Sequence, residues 1–281
     1  MMKIIFKIFF FISFVLSSDQ IPAPDQDNPI MIKGATIHTV SHGTLEKAEI
    51  IFDKGKIISV GHQLTAPDGT EIMDASGLHI FPGLISTGST LGLQEIGAVR
   101  ATRDYAEVGD INPNVRANVS YNPDSELIPI SRSNGILLAL SVPRSGLISG
   151  MSSLMMLDGW TWEDATLIHP VGLHIFWPSM NLPKPQSGKK KDEKGKDMRL
   201  QSIQKLDDIL QDSRAYLKLK NLGSSSYKHD LRLEGMLPVI TGDVPVFIHA
   251  NEVRQIEASV YWADRQNLAM VLVGGKDSWR V

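Results

Sequence analysis

Residues His79–Leu93 read HIFPGLISTGSTLGL, a turn followed by an apolar run. Pro82 fixes φ and lacks a donor, Gly83 tolerates dihedrals closed to other residues, and Leu84-Ile85 are apolar. That order delivers the backbone into a buried parallel strand, expected within Phe81–Leu93. The rest of the chain is arranged on either side of this entry.

Upstream lie short β patterns. Ile30–Gly34 and Ala35–Val40 come first; Ala48–Phe52 then meets Lys56–Val60 across Asp53-Lys54-Gly55, a hairpin signal. Glu71–Ala75 follows, so residues 19–80 read as a small β domain. At the N-terminus, Lys3 and Lys7 precede the apolar run Ile8–Leu16 (IFFFISFVL), with Val15 and Ser17 suited to cleavage after Ser17. Residues 1–18 are therefore read as a secretory signal peptide. The run is short of the roughly 20 residues a spanning helix needs, so no membrane association is expected after cleavage. The expectation is an exported protein, periplasmic or extracellular.

Downstream, the polar stretch Gly92–Asn134 is long enough to suggest a loop over an active-site face. It carries Arg100, Arg103, Asp104, Glu107 and Asp110, either near a pocket or in solvated surface pairs. Gly135–Pro143 reads as a second buried strand, Arg144-Ser145-Gly146 as a turn, and Leu147–Leu157 as an apolar segment broken at Gly150. Thr161 is a candidate N-cap with Asp164 three positions on, and Pro170–Pro178 is strand-like. His169 and His174 lie beside apolar residues, where a histidine is more often structural than a ligand. The segment Asn181–Asp197, rich in Lys, Gly and Pro, reads as an exposed insertion. Apolar residues at helical spacing from Leu200 to Leu217 predict an amphipathic helix over Arg199–Lys220. Val244–Ala250 (VPVFIHA) is a buried strand ending in His249; a helix over Glu252–Gln266 and a further strand over Leu268–Val273 complete the pattern.

Composition narrows the function classes. A net charge of −3 leaves no electrostatic footprint for nucleic acid. With no cysteine, thiol catalysis, disulfides and zinc–thiolate sites are excluded, and a metal would need His, Asp, Glu or a modified Lys. Homo- or hetero-oligomerisation is left open.

Pro82-Gly83-Leu84-Ile85-Ser86-Thr87-Gly88-Ser89-Thr90 resembles the Pro-Gly-Leu-Ile-Asp-x-His-x-His segment that opens the barrel of the amidohydrolase superfamily. The preceding β patterns resemble the small β-sandwich of imidazolonepropionases and dihydroorotase-like proteins. GLISG, LDGWTWED and VGLHIFWP resemble exported bacterial amidohydrolase-related proteins. The resemblance implies an α/β fold, a partial (truncated) TIM-like (β/α) barrel over residues 81–281 preceded by a β-sandwich. About six of eight strands are expected, as the N-terminal portion of a longer protein, because a full barrel takes roughly 250 residues.

It also implies a metal-dependent hydrolase acting on carbon–nitrogen bonds of a cyclic, amide-like small molecule. The departures are specific. Ser86 replaces the family's Asp, Gly88 and Thr90 replace the two metal-binding histidines, and Gly274-Gly275 stand where many relatives carry the sixth-strand histidine. His249, at the tip of the expected fifth strand, is the best ligand candidate for Zn2+ or another divalent metal. Glu252 or His174 are conceivable companions. Zinc needs three or four ligands, so two readings stand. One is an active hydrolase with ligands from elsewhere. The other is a catalytically silent homologue that holds no metal and binds a small molecule or partner subunit.

Overall fold

The computed structural model describes residues 21–181, 198–223 and 227–281; the expected signal peptide and most of the expected insertion lie outside the described residues. Two sheets organise the chain. The first contains β1 (Ile30–His38), β2 (Thr44–Asp53), β3 (Lys56–Gly61), β4 (Glu71–Asp74) and β5 (His79–Ile80). Its order is β3-β2-β1-β4, with β5 also on β1. The β2–β3 hairpin turns through Lys54 and Gly55, both at positive φ, the conformation a two-residue type I′ turn requires. The expected sandwich is thus a single sheet among the described residues. Met31, Ala35, Ile37, Ala48, Ile50 and Ile51 are its buried residues.

Phe81 joins the two sheets. Its ring stacks on His38 at 4.2 Å, and His38 Nε2 is hydrogen-bonded to His79 Nδ1 at 3.0 Å. The chain then enters β6 (Leu84–Ser89), first strand of a six-stranded sheet that continues with β7 (Ile136–Ser141), β8 (Ile148–Met156), β9 (Thr166–Phe176), β10 (Val246–Ala250) and β11 (Met270–Gly274). Spatial order follows chain order, in the manner of a curled half-barrel. Strands β6, β7, β9, β10 and β11 run parallel, whereas β8 is antiparallel to both neighbours. Val246–Ala250 is therefore fifth in the sheet but fourth among the parallel strands. The ordinal expected for the His249 strand holds only if the reversed strand is counted.

Helices α1 (Leu127–Ser133) and α2 (Trp162–Ala165) are short; α3 (Met198–Asn221), α4 (Leu231–Ile240) and α5 (Val253–Arg265) carry the crossovers flanking β10. Thr161 caps α2 by accepting from the Asp164 N–H, as its position suggests, but the helix lasts one turn before β9 begins. Leu237–Ile240, ambiguous between strand and helix end, belongs to α4. The main core follows from strand alternation. Leu173 and Ile175 of β9 and Val246 and Ile248 of β10 point to one face, where they meet Leu206 and Leu210 of α3, Met236 of α4 and Trp262 of α5. Burying each such side chain contributes about 1.5–3 kcal/mol.

The stretch from Gly92 to Asn134 is not simply a solvated loop. Leu93, Ala117 and Tyr121 are buried with Ile128 of α1 against Ala139 of β7 and Met155 of β8, covering that end of the sheet. Gly92 permits this, since a β-carbon there would collide with the Tyr121 ring and its φ is +75°.

Candidate functional site

The same alternation that sends Leu173 and Ile175 to the helices turns His174 and Phe176 to the opposite face, together with Phe247 and His249 of β10. Four rings form a ladder across the two strands. Phe247 stacks on His174 at 5.0 Å, His174 meets His249 at 5.2 Å, and His249 lies flat on Phe176 at 4.0 Å with 9° between planes. His174 Nδ1 and His249 Nε2 are hydrogen-bonded at 2.9 Å. His174 is 1% exposed, and its Nε2 has no partner among the described residues.

This pair lies near the C-terminal ends of the parallel strands, the edge at which barrel chemistry is built. Arg144, just beyond β7, donates from Nη2 to the carbonyl of Gly88 at 2.6 Å, while its backbone N–H donates to Tyr105 O. Arg144 therefore ties the chain after β7 to Gly88 in β6 and to Tyr105. Its charge also reaches both imidazoles. Burial first, then the adjacent His249 and Arg144, bring the His174 pKa down to about 3; burial and Arg144 bring that of His249 down to about 4. Both rings are neutral at pH 7. Arg144 makes no ion pair with any described carboxylate.

Gly88 is held by Arg144, and His249 by His174. Thr90 instead starts a turn, its carbonyl accepting from the Leu93 N–H. Glu252 is not brought to the imidazoles: its carboxylate belongs to the α5 capping box and accepts from Asn181 Nδ2 at 2.7 Å. At the tip of β11, Gly274 lies against Asn251, where a β-carbon would strike the Asn251 amide. His169, near the other end of β9, is bonded to Ser153 Oγ at 2.8 Å and is structural. None of Arg100, Arg103, Asp104, Glu107 or Asp110 bonds to His174, His249 or Arg144 through its side chain. Asp110 pairs with Lys205 at the surface, and the Glu107 backbone N–H donates to Ser145 Oγ. Arg144 was hidden in the sequence as a turn residue. The signal that could have found it is the rule that identified His249: a polar side chain just after a buried strand.

As a metal centre the group does not fit. Among the described residues no set of three His, Cys, Asp or Glu is placed to hold an ion. The facing nitrogens of His174 and His249 are spent on one another, and the nearby charge is a guanidinium where zinc would require further donors.

No family model matches the chain. An amidohydrolase from Thermotoga maritima shares the fold, with a TM-score of 0.77 at 22% identity over 89% of this chain and 66% of that one. Two dihydroorotases, from Citrifermentans bemidjiense and Geobacter metallireducens, are 38% and 39% identical over 56 residues, 20% of this chain. The matched part spans only 13% of either relative's length. The fold is thus shared with an amidohydrolase over most of the chain, and a short segment is similar in sequence to dihydroorotases.

Proposed function

We propose that the mouth formed by Gly88, Arg144, His174 and His249 binds a small molecule without a resident divalent metal, on a scaffold of amidohydrolase type. The observation that carries this reading is the pairing of the two imidazoles with each other, in place of an ion between them. Neutral imidazoles and a guanidinium recognise polar groups; they do not by themselves lower the pKa of a water as a zinc site does.

The second reading, a metal-dependent hydrolase of cyclic amide-like substrates, is favoured by one feature. Two histidines sit at neighbouring strand ends and could bracket one ion if their mutual bond opened. It requires ligands that the described residues do not bring there. Metal analysis of the purified full-length protein separates the two. Sub-stoichiometric metal, equal in wild type and His249→Ala, supports the binding site; about one zinc per chain, lost in His249→Ala, overturns it in favour of the hydrolase. We also propose export, carried by the Lys-flanked apolar run before Ser17. N-terminal sequencing of the secreted or periplasmic fraction, with the chain starting at Ser18, is the expected result.

A further inference from the structure

The chain ahead of β1 crosses from one sheet to the other. Ile21-Pro22-Ala23-Pro24 alternates proline with a residue whose α conformation the following ring disfavours, so the segment is extended before it touches anything. It is pinned at two points. Gln26 Nε2 donates to Phe52 O in β2 at 3.1 Å, and the Ala23 N–H donates to Asp158 Oδ2, just beyond β8, at 3.3 Å. Pro22 and Gln26 are half-buried, and Ala23, Pro24 and Asp25 between them are exposed.

The seat on the six-stranded sheet is built by α1, the end of β8 and α2. Arg132 of α1 donates to Asp158 Oδ1 at 2.7 Å and to Leu157 O at 3.2 Å, which fixes the carboxylate and leaves Oδ2 to the strap. Ile21 and Pro22 line, with Tyr121, Ile128, Met156 and Ala165, a void of about 10 Å3, so little space remains beneath them. Pro24 and Asp25 border an open hollow beside Trp160, which is 60% exposed. Gly159 lets the loop turn sharply between Asp158 and Trp160: its φ is +152°, and a β-carbon would stand 3.0 Å from Ala165 N. A fixed acceptor between an apolar slot and an exposed aromatic ring suits an extended, proline-bearing peptide. Between its two prolines the strap offers one N–H, and that N–H meets the acceptor. We propose that this seat is a receptor for an extended proline-bearing peptide, with residues 21–24 as its resident ligand, fastening the small sheet to the larger one.

The test is isothermal titration calorimetry on the full-length chain with an acetylated, amidated peptide of residues 19–26, DQIPAPDQ. Tied in cis, the resident strap competes at an effective concentration on the order of mM. The double substitution Pro22→Ser/Ala23→Pro withdraws the ring and the N–H while the segment stays extended, and leaves the seat itself unaltered. This variant is expected to bind the peptide at least about tenfold tighter than wild type, and N-methylation of the peptide's Ala23 nitrogen to weaken that binding at least about tenfold. Absence of saturable binding by the variant, equal affinity in variant and wild type, or indifference to N-methylation overturns the receptor. Hydrogen exchange on the wild type reads the same contact without any substitution. The Ala23 amide should exchange more slowly than that of Asp25, which donates to no described residue, and should speed up when excess peptide displaces the strap. Equal rates for the two amides would show the strap unseated in solution and sink the proposal.

Discussion

Gly172 has no side chain, and the ring of Phe247 occupies the space a β-carbon would take. Gly172→Ala must push that ring away from its stack on His174, and is expected to cost about 1–3 kcal/mol, read as a lowered thermal midpoint. His174 and His249 set a pH dependence of known sign. Their pKa values fall from an ordinary 6.5 to about 3 and about 4 in the fold, chiefly through burial. The unfolded chain thus binds more protons between those values, and stability, full above about pH 6.5, falls as pH drops toward 4. Urea unfolding at pH 7, 5.5 and 4.5 checks this: midpoints should decrease in that order, and His174→Phe should flatten the decrease. His249 was legible as a strand-tip residue. The bond to His174 was not, because partners 75 positions apart are joined only by the β9–β10 register.

At the scale of elements, the Asp207 carboxylate ties α3 to the C-terminal end of α5. Asp207 accepts from Trp262 Nε1 at 2.8 Å and Gln266 Nε2 at 2.8 Å, and pairs with Arg265 at 3.2 Å. Trp262 is 2% exposed, so Asp207→Ala strands an indole N–H in the core. We expect a loss of about 1–3 kcal/mol by urea denaturation, and less for Asp207→Asn, which keeps one acceptor oxygen. Both helices were expected to within a residue at each end, α3 from its apolar periodicity and α5 as the stretch following the His249 strand. The direction of β8 was not. A largely apolar segment such as Leu147–Leu157, broken at Gly150, marks burial but carries no information on which way the strand runs, and the short turn at Arg144–Gly146 returns the chain antiparallel.

Across the whole molecule, stability should be graded along the six-stranded sheet. Strand β9 is hydrogen-bonded on both sides and buries Leu173 and Ile175 completely, whereas β6 lies at the edge with Leu84 61% and Ile85 53% exposed. Hydrogen exchange should therefore be slowest in β8, β9 and β10 and fastest in β6, with β11, the opposite edge, exchanging faster than β10. Equal protection in β6 and β9 would show that the β6 edge is covered in solution.

Local chemistry settled much of this protein in advance. Pro82-Gly83 and the apolar residues after them specify a strand entry, Lys54-Gly55 a tight hairpin, and the period of Leu200–Leu217 a helix, because each depends on dihedral limits and periodicities that act over a few residues. The reversal of β8, the use of the Gly92–Asn134 stretch as a cover for the sheet, and the pairings of His174 with His249 and of Arg144 with Gly88 were decided only by the tertiary structure. Each depends on which strands lie side by side, and that is a balance of burial over the entire sheet that no single stretch of the chain contains.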